Sequence, residues 1–214
     1  VFASTGFNNK HIIHMAAKIP VAALDRELID HPNVCIVAQD NVRGMFLVTE
    51  HLIQNGHRRI ACLTGPLTIA ASLDRLRGYQ MAFNTYGLEI DRDLIREGRW
   101  TKESGHELTL ELLARDPGVT AVVASNDLSA LGAIEACGEM GRPVPESVSV
   151  VGYDDISLAS LLRPRLTTVA QPINEMGRAA VKFILDKLHG EETYRGKVVF
   201  SPQLVIREST SRRA

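Results

Sequence analysis

The chain has 214 residues, 24 Lys+Arg against 25 Asp+Glu, a formal net charge of −1, and 45% hydrophobic and 23% charged residues. This balance excludes bulk disorder and low-complexity fibre, and the length suits one large domain or two lobes of roughly 100 residues, each able to bury a core. No apolar run reaches the ~18 residues of a membrane span, and a near-neutral charge argues against this chain alone gripping a polyanion.

The opening Val1-Phe2-Ala3-Ser4-Thr5 lacks the charged and apolar regions of a signal peptide, and there is no initiator Met. Either the chain is a fragment, or part of the protein lies outside it. Short β-rich runs at residues 20–24 and 34–37 come first. Met45, Val48, Leu52 and Ile53 then recur at helical spacing before Gly56, a helix with a glycine stop. A strand at 59–64 follows. Leu108, Leu110, Leu112 and Leu113 mark a helix ending before Pro117, and residues 121–124 form the next strand. Leu128, Leu131, Ile134, Ala136 and Cys137 mark a further helix, ending around Gly138 to Gly141. Strands at 148–151 and 166–169 precede a last helix through Met176, Ala180, Phe183, Ile184 and Leu188, closed by Gly190. Residues 198–206 contain Pro202 and read as one late edge strand. The polar end from Ser209 is expected to fray.

Strands that are near-continuous apolar runs, alternating with helices, imply parallel sheets covered on both faces. In such sheets ligands bind beyond the carboxyl ends of the strands. Polar residues fall at five strand exits: Asp25, Gly65-Pro66, Ser125-Asn126-Asp127, Tyr153-Asp154-Asp155 and Gln171. Carboxylates, amides and the single Trp, Trp100, suit a polyhydroxylated ligand, offering acceptors and donors around the rim and a flat apolar face for a ring. Each also has a structural reading. Asn126 or Asp127 could cap the helix near Leu128, and Asp154 or Asp155 a turn at 156–161. Asp25 could be a solvated loop charge, Trp100 core or rim packing, and Gln171 a turn partner of Pro172.

Other motifs are absent. GxSxG, GxxxxGK[ST], HExxH and GxGxxG do not occur. Cys35, Cys62 and Cys137 are odd in number, without CxxC or Cys/His clusters, so neither a disulfide framework nor a zinc site is expected. His11 and His14 have metal spacing without an evident third ligand. Asp154 and Asp155 are adjacent and point to opposite sides of an extended chain, which argues against an acid–base pair.

Five segments in order carry a resemblance. They are Glu50-His51-Leu52-Ile53 with Gly56-His57-Arg58-Arg59-Ile60-Ala61; Ala124-Ser125-Asn126-Asp127 with Ala130-Leu131-Gly132-Ala133; residues 144–155; Leu166-Thr167-Thr168-Val169-Ala170-Gln171-Pro172 with Met176-Gly177; and Leu204-Val205-Ile206-Arg207-Glu208-Ser209-Thr210. Over nearly its whole length the chain resembles the effector-binding core of the LacI/GalR family of bacterial transcription regulators. The stretches Gly65-Pro66-Leu67 and Arg75-Leu76-Arg77-Gly78-Tyr79 lean toward ribose-repressor-like members.

The resemblance implies two Rossmann-like α/β lobes of the type I periplasmic-binding-protein kind. The first lobe would be residues 1–38 plus 172–195, and truncated, with 1–4 as its third strand and an exposed sheet edge. The second would be 39–171 plus 196–209, with 210–214 as a tail. A small sugar or nucleoside-like effector would bind between the lobes and favour one hinge state. Matched contacts fall on Asp25, Trp100, Asn126, Asp154 and Gln171, with Ser4, Leu73 and Ile173 as further candidates. Leu73 stands where sugar-binding members carry an Arg. That leaves one bidentate donor missing and points to a less polar effector, a nucleoside or a different sugar, or to a site that takes no small molecule; Arg75 could swing in, against its structural reading as an ion pair with Asp74 or another acid.

The resemblance also implies a cytoplasmic, non-enzymatic homodimer without cofactor or metal. It would pair through residues 101–108, 128–140 and 157–162 and reach operator DNA only through a helix-turn-helix domain not in this chain. The competing readings are a periplasmic sugar-binding transport protein of the same fold, an α/β enzyme, and a family member controlled by a protein partner.

Overall fold

A computed structural model describes residues 9–25, 31–191 and 196–213. In chain order the elements are α1 (Asn9–Ala16), β1 (Val21–Leu24), β2 (Val34–Gln39), α2 (Asn41–Gln54), β3 (Ile60–Thr64), α3 (Ala70–Thr85), β4 (Ile95–Glu97), α4 (Lys102–Arg115), β5 (Ala121–Ala124), α5 (Asp127–Glu139), β6 (Ser149–Val151), β7 (Thr168–Ala170), α6 (Ile173–Leu188), β8 (Gly196–Phe200) and β9 (Gln203–Val205), with short 3₁₀ turns at Arg92–Leu94 and Ser157–Ser160. The chain divides into two compact units, residues 1–40 with 172–201 and residues 41–171 with 202–214.

In the first unit β1, β2 and β8 form a parallel sheet in that order. Side chains alternate across β2, so Val34, Ile36 and Ala38 pack with Ile12 and Ala16 of α1. Cys35 and Val37 face the other way, onto Met176, Ala180 and Phe183 of α6. A strand sandwiched between two helices has no polar face, which is why it reads as an unbroken apolar run.

The second unit carries a parallel sheet in the order β4-β3-β5-β6. β7 pairs antiparallel with β9, and isolated parallel bridges, Val151 with Thr167 and Asp154 with Ala170, tie β7 to the chain leaving β6. Met45, Leu52, Tyr79 and Phe83 from α2 and α3 cover one face, over Ile60, Cys62 and Val123. Leu112, Leu113, Ala133 and Cys137 from α4 and α5 cover the other, over Leu63, Val122 and Val150. Each fully buried Leu or Ile contributes ~1.5–3 kcal/mol of apolar transfer. The buried Tyr79 hydroxyl donates to the Ile60 carbonyl at 2.9 Å, which offsets the cost of bringing it inside. Helices α4 and α5 approach closely because Gly105 and Gly132 have no side chain; a Cβ at either would strike the neighbouring helix's backbone.

Three expectations are corrected. The late strand is two strands, β8 and β9, separated at Ser201-Pro202, and they belong to different units. Residues 196–201 therefore join the first unit, because β8 pairs with β2 over Cys35–Gln39. The polar end does not fray up to Arg213: Ser209 is fully buried, Ser211 N donates to Ser149 Oγ at 3.0 Å, and Arg213 N donates to Asn55 O at 2.7 Å. Its hydroxyls and amides meet the lower edge of the second unit's sheet, which polarity alone does not reveal. The strand expected at 1–4, with Ser4, lies outside the described residues. No helix among the described residues is long and apolar enough to cross a membrane.

Candidate functional site

The strand exits of the second unit gather a connected set of polar side chains around a buried arginine. Arg75 is 6% exposed on α3. Its Nε donates to Asn41 Oδ1 at 2.8 Å, its Nη1 donates to the Ser125 carbonyl after β5 and lies 3.5 Å from Asp154 Oδ1, and its guanidinium carbon is 3.8 Å from the Tyr153 ring centroid. Asp154 Oδ1 also accepts from Gln171 Nε2. Gln171 follows β7, and the bridge between Asp154 and Ala170 sets the two residues side by side. Arg75 thus spends its planar fork on three separate elements, which a lysine could not do.

Trp100 and Asn126 form the adjoining part. Trp100 Nε1 donates to Ser125 Oγ at 3.1 Å. Asn126 Nδ2 donates to the Trp100 carbonyl at 2.9 Å, while its Oδ1 accepts from Ser129 N at 2.9 Å and caps α5. The capping reading of Asn126 therefore holds, and the same amide fixes the loop that carries the indole. Gly65 lies against this indole, where a Cβ would collide with Trp100. Ser72 Oγ nearby is buried without a hydrogen-bond partner.

Among the described residues, the non-glycine residues with positive φ are Asp25 (48°), Trp100 (61°), Asp154 (116°) and Asp155 (52°). They lie in the loops leaving β1, β4 and β6. Such conformations cost on the order of 1–3 kcal/mol each and persist where the surroundings over-determine them. Asp154 and Asp155 do point apart: Asp155 pairs with Arg207 at 2.6 Å. Neither caps the 3₁₀ turn at Ser157–Ser160, whose N-cap is Ile156. Ile156 N is instead bound by Asp127 Oδ2 at 2.9 Å, and Asp127 Oδ1 accepts from Thr168 Oγ1 at 2.5 Å. Burial pushes the Asp127 carboxyl up to about 7, against the pull of these two hydrogen bonds.

In the first unit, Asp25 Oδ1 accepts from Gln39 N at 3.0 Å and Oδ2 from Gln39 Nε2 at 3.4 Å, so it is tied to the exit of β2 rather than being a loose loop charge. Ile173 is 62% exposed in the first turn of α6. In the second unit Leu73 is 39% exposed. Two residues along a helix is about 200° of rotation, so Leu73 and the buried Arg75 face opposite ways, and Leu73 is not part of the cluster. Arg75 is in an ion pair, as expected, and its acid is Asp154, at 3.5 Å, while Asp74 pairs with Arg77 at 2.8 Å.

Sequence reasoning missed Asn41 as a member and read Arg75 as a structural ion pair rather than as the centre of the cluster, while Ser125 was named at its strand exit. A signal existed for Arg75: Ser72, Arg75, Tyr79 and Ala82 are spaced i, i+3, i+7, i+10, and all four are buried. Among the described residues no three His, Cys, Asp or Glu side chains gather as a metal site. The three cysteines are free and buried, with Cys62 pushed up to about 12 by desolvation, so they are poor nucleophiles.

Parallel α/β units with hydrogen-bonding groups collected beyond the strand ends define a ligand-binding module of the periplasmic-binding-protein kind. The periplasmic binding protein-like domain family matches residues 49–210. CelR of Thermobifida fusca, an HTH-type transcriptional regulator, is 40% identical over 181 residues, covering 85% of this chain and 53% of that protein. The solved CelR–cellobiose complex superposes with a TM-score of 0.84 at 40% identity, covering 90% of this chain and 59% of the other. A sugar-binding LacI-family regulator from Escherichia coli, complexed with phosphate, gives 0.88 at 33% identity, covering 99% of this chain and 76% of the other. The chain belongs to the LacI family. It spans about half the length of the curated relatives it matches.

Proposed function

We propose that this chain senses a small polyhydroxylated effector, of the sugar or related nucleoside class, and that occupancy sets the DNA affinity of a helix-turn-helix domain carried elsewhere in the protein. The supporting observation is the Asp154 carboxylate, held at a strand exit by Arg75 and Gln171. A carboxylate so placed accepts ligand hydroxyls at ~1.5–3 kcal/mol per charged hydrogen bond. Within the same unit Arg75 orients that carboxylate, Trp100 offers an apolar ring face and Asn126 an amide. Gln171 is the last residue before the chain crosses to the first unit, so a ligand that competes for Asp154 acts directly on a crossing segment.

The protein is read as a binder without turnover, working in the cytoplasm where operator DNA lies. It acts as a homodimer, supported by the exposed Leu128, Leu158 and Leu161 on the second unit. The relatives being regulators favours this over a transport protein of the same fold. Calorimetry of the chain against pentoses, hexoses, cellobiose and nucleosides is the test. One compound class is expected to give saturable heat that Asp154→Ala abolishes. Absence of heat from every compound, or heat undiminished in Asp154→Ala, overturns the reading.

A further inference from the structure

Asp127 is fully inside the second unit and does more than begin α5. Its two carboxylate oxygens hold two different segments: Oδ2 takes the Ile156 amide, two residues after Asp154, and Oδ1 takes the Thr168 hydroxyl, three residues before Gln171. Gly152 passes so close that a Cβ there would collide with Oδ1. The loop bearing Asp154 and the strand leading to Gln171 are therefore stapled to one buried carboxyl group. The same helix start is tied to Trp100 through Ser125 and Asn126, the residues immediately before Asp127.

The geometry points to Asp127 as a positioning residue of the effector site, one whose protonation state is transmitted to Asp154, Gln171 and Trp100 and so makes effector affinity depend on pH. This deepens, and rests on, the reading of the cluster as an effector site. The ionised carboxylate accepts both hydrogen bonds as charge-assisted ones, roughly twice as strong as neutral ones, so the site is best ordered above the titration and loosens below it. Burial keeps this carboxyl protonated to about pH 7, with the neighbouring Asp154 and Asp155 charges acting in the same direction. Arg207 on Asp155 and Arg75 on Asp154 are the facing cations. On the packed face of α4, Lys102 and His106 are engaged further along α5 by Glu135 and Glu139.

Trp100 is the only tryptophan, so its emission reports this cluster without a ligand. In the 214-residue chain, emission against pH from 5 to 9 is expected to show a transition near neutrality. Asp127→Asn is expected to abolish it. Thr168→Val removes a hydrogen bond that favours the ionised form and is expected to move the midpoint upward, which keeps the test available if Asp127→Asn does not fold. A sugar that gives heat with the wild type is expected to bind about 2.5-fold more tightly at pH 8 than at pH 6, equivalent to the ligand shifting the midpoint by about half a unit, and equally at both in Asp127→Asn. The inference is overturned by a flat emission profile, by a transition that survives unchanged in both variants, or by a pH-independent wild-type affinity. If no sugar binds, the effector reading fails, while the emission titration still decides the role of Asp127.

Discussion

Arg75 lies over the ring of Tyr153, its guanidinium carbon 3.8 Å from the ring centroid, and the following residue, Asp154, is its ion-pair partner. One strand-exit dipeptide therefore supplies both an aromatic face and a carboxylate to a single buried cation. An arginine there satisfies its neighbours only while all of them are present, and they come from α2, β5 and β6 exits far apart in the chain.

Removing that cation takes a donor from Asn41 Oδ1 and the Ser125 carbonyl and the ion-pair partner from Asp154, which keeps its hydrogen bond from Gln171. Arg75→Ala is expected to destabilise the chain by about 2–4 kcal/mol, discounted for the partial exposure of Asp154. Arg75→Lys, which keeps the charge and loses the fork, is expected to cost about half as much. Urea unfolding followed by circular dichroism measures both; coincident transitions for wild type and both variants would remove Arg75 from its structural role.

At Gly65, beside the Trp100 indole, there is no room for even a methyl group. Gly65→Ala is expected to push the Trp100 indole away from Ser125, shift its emission and cost about 1–3 kcal/mol through overpacking. Unaltered emission in the variant would show that the indole is not seated against the glycine.

His57 is buried between Thr120 Oγ1 at 2.9 Å and the Ser211 carbonyl at 3.1 Å and anchors the C-terminal segment. Desolvation lowers its pKa below the ordinary 6.5, with the Ser211 carbonyl opposing and Arg213, His51 and Arg58 reinforcing the shift. A histidine kept neutral in the fold binds fewer protons there than in the unfolded chain. Its contribution is therefore fully present above pH 6.5 and lost as pH falls below that value. The melting temperature is expected to drop between pH 7 and pH 5, and less steeply in His57→Gln. Equal slopes in both proteins would assign the acid sensitivity elsewhere.

Leu161 is 70% exposed, beside Leu158 and on the same unit as Leu128. If this face joins two copies, Leu161→Glu buries a charge at the interface and converts dimer to monomer in sedimentation-velocity runs, with an unchanged far-UV spectrum. A variant that remains fully dimeric would place the interface on other residues.

The parallel α/β class was legible because β2, β3 and β5 are buried on both faces and appear in the chain as unbroken Val, Ile, Ala and Cys runs. The polar residues at their ends were legible for the complementary reason: a strand leaving the apolar layers must place its next hydrogen-bonding groups at the sheet's edge. The α3 helix was passed over because its apolar stripe is broken by Ser72 and Arg75, and β4 because three residues carry almost no periodic signal.

By itself, then, the order of residues determined the layered architecture and nominated Asp25, Asn126, Asp154 and Gln171 at strand exits, because periodicity and strand ends are local properties, while Trp100 entered as the single Trp and through the family resemblance. Only the tertiary structure decided that Arg75 is buried at the centre of the cluster, that Asp127 staples two segments, and that Pro202 separates strands of different units. Those outcomes depend on which side chains meet across separations such as the 79 residues between Arg75 and Asp154. No local pattern encodes such a meeting; it exists once helices and strands have packed and a buried charge has found the acceptors it needs.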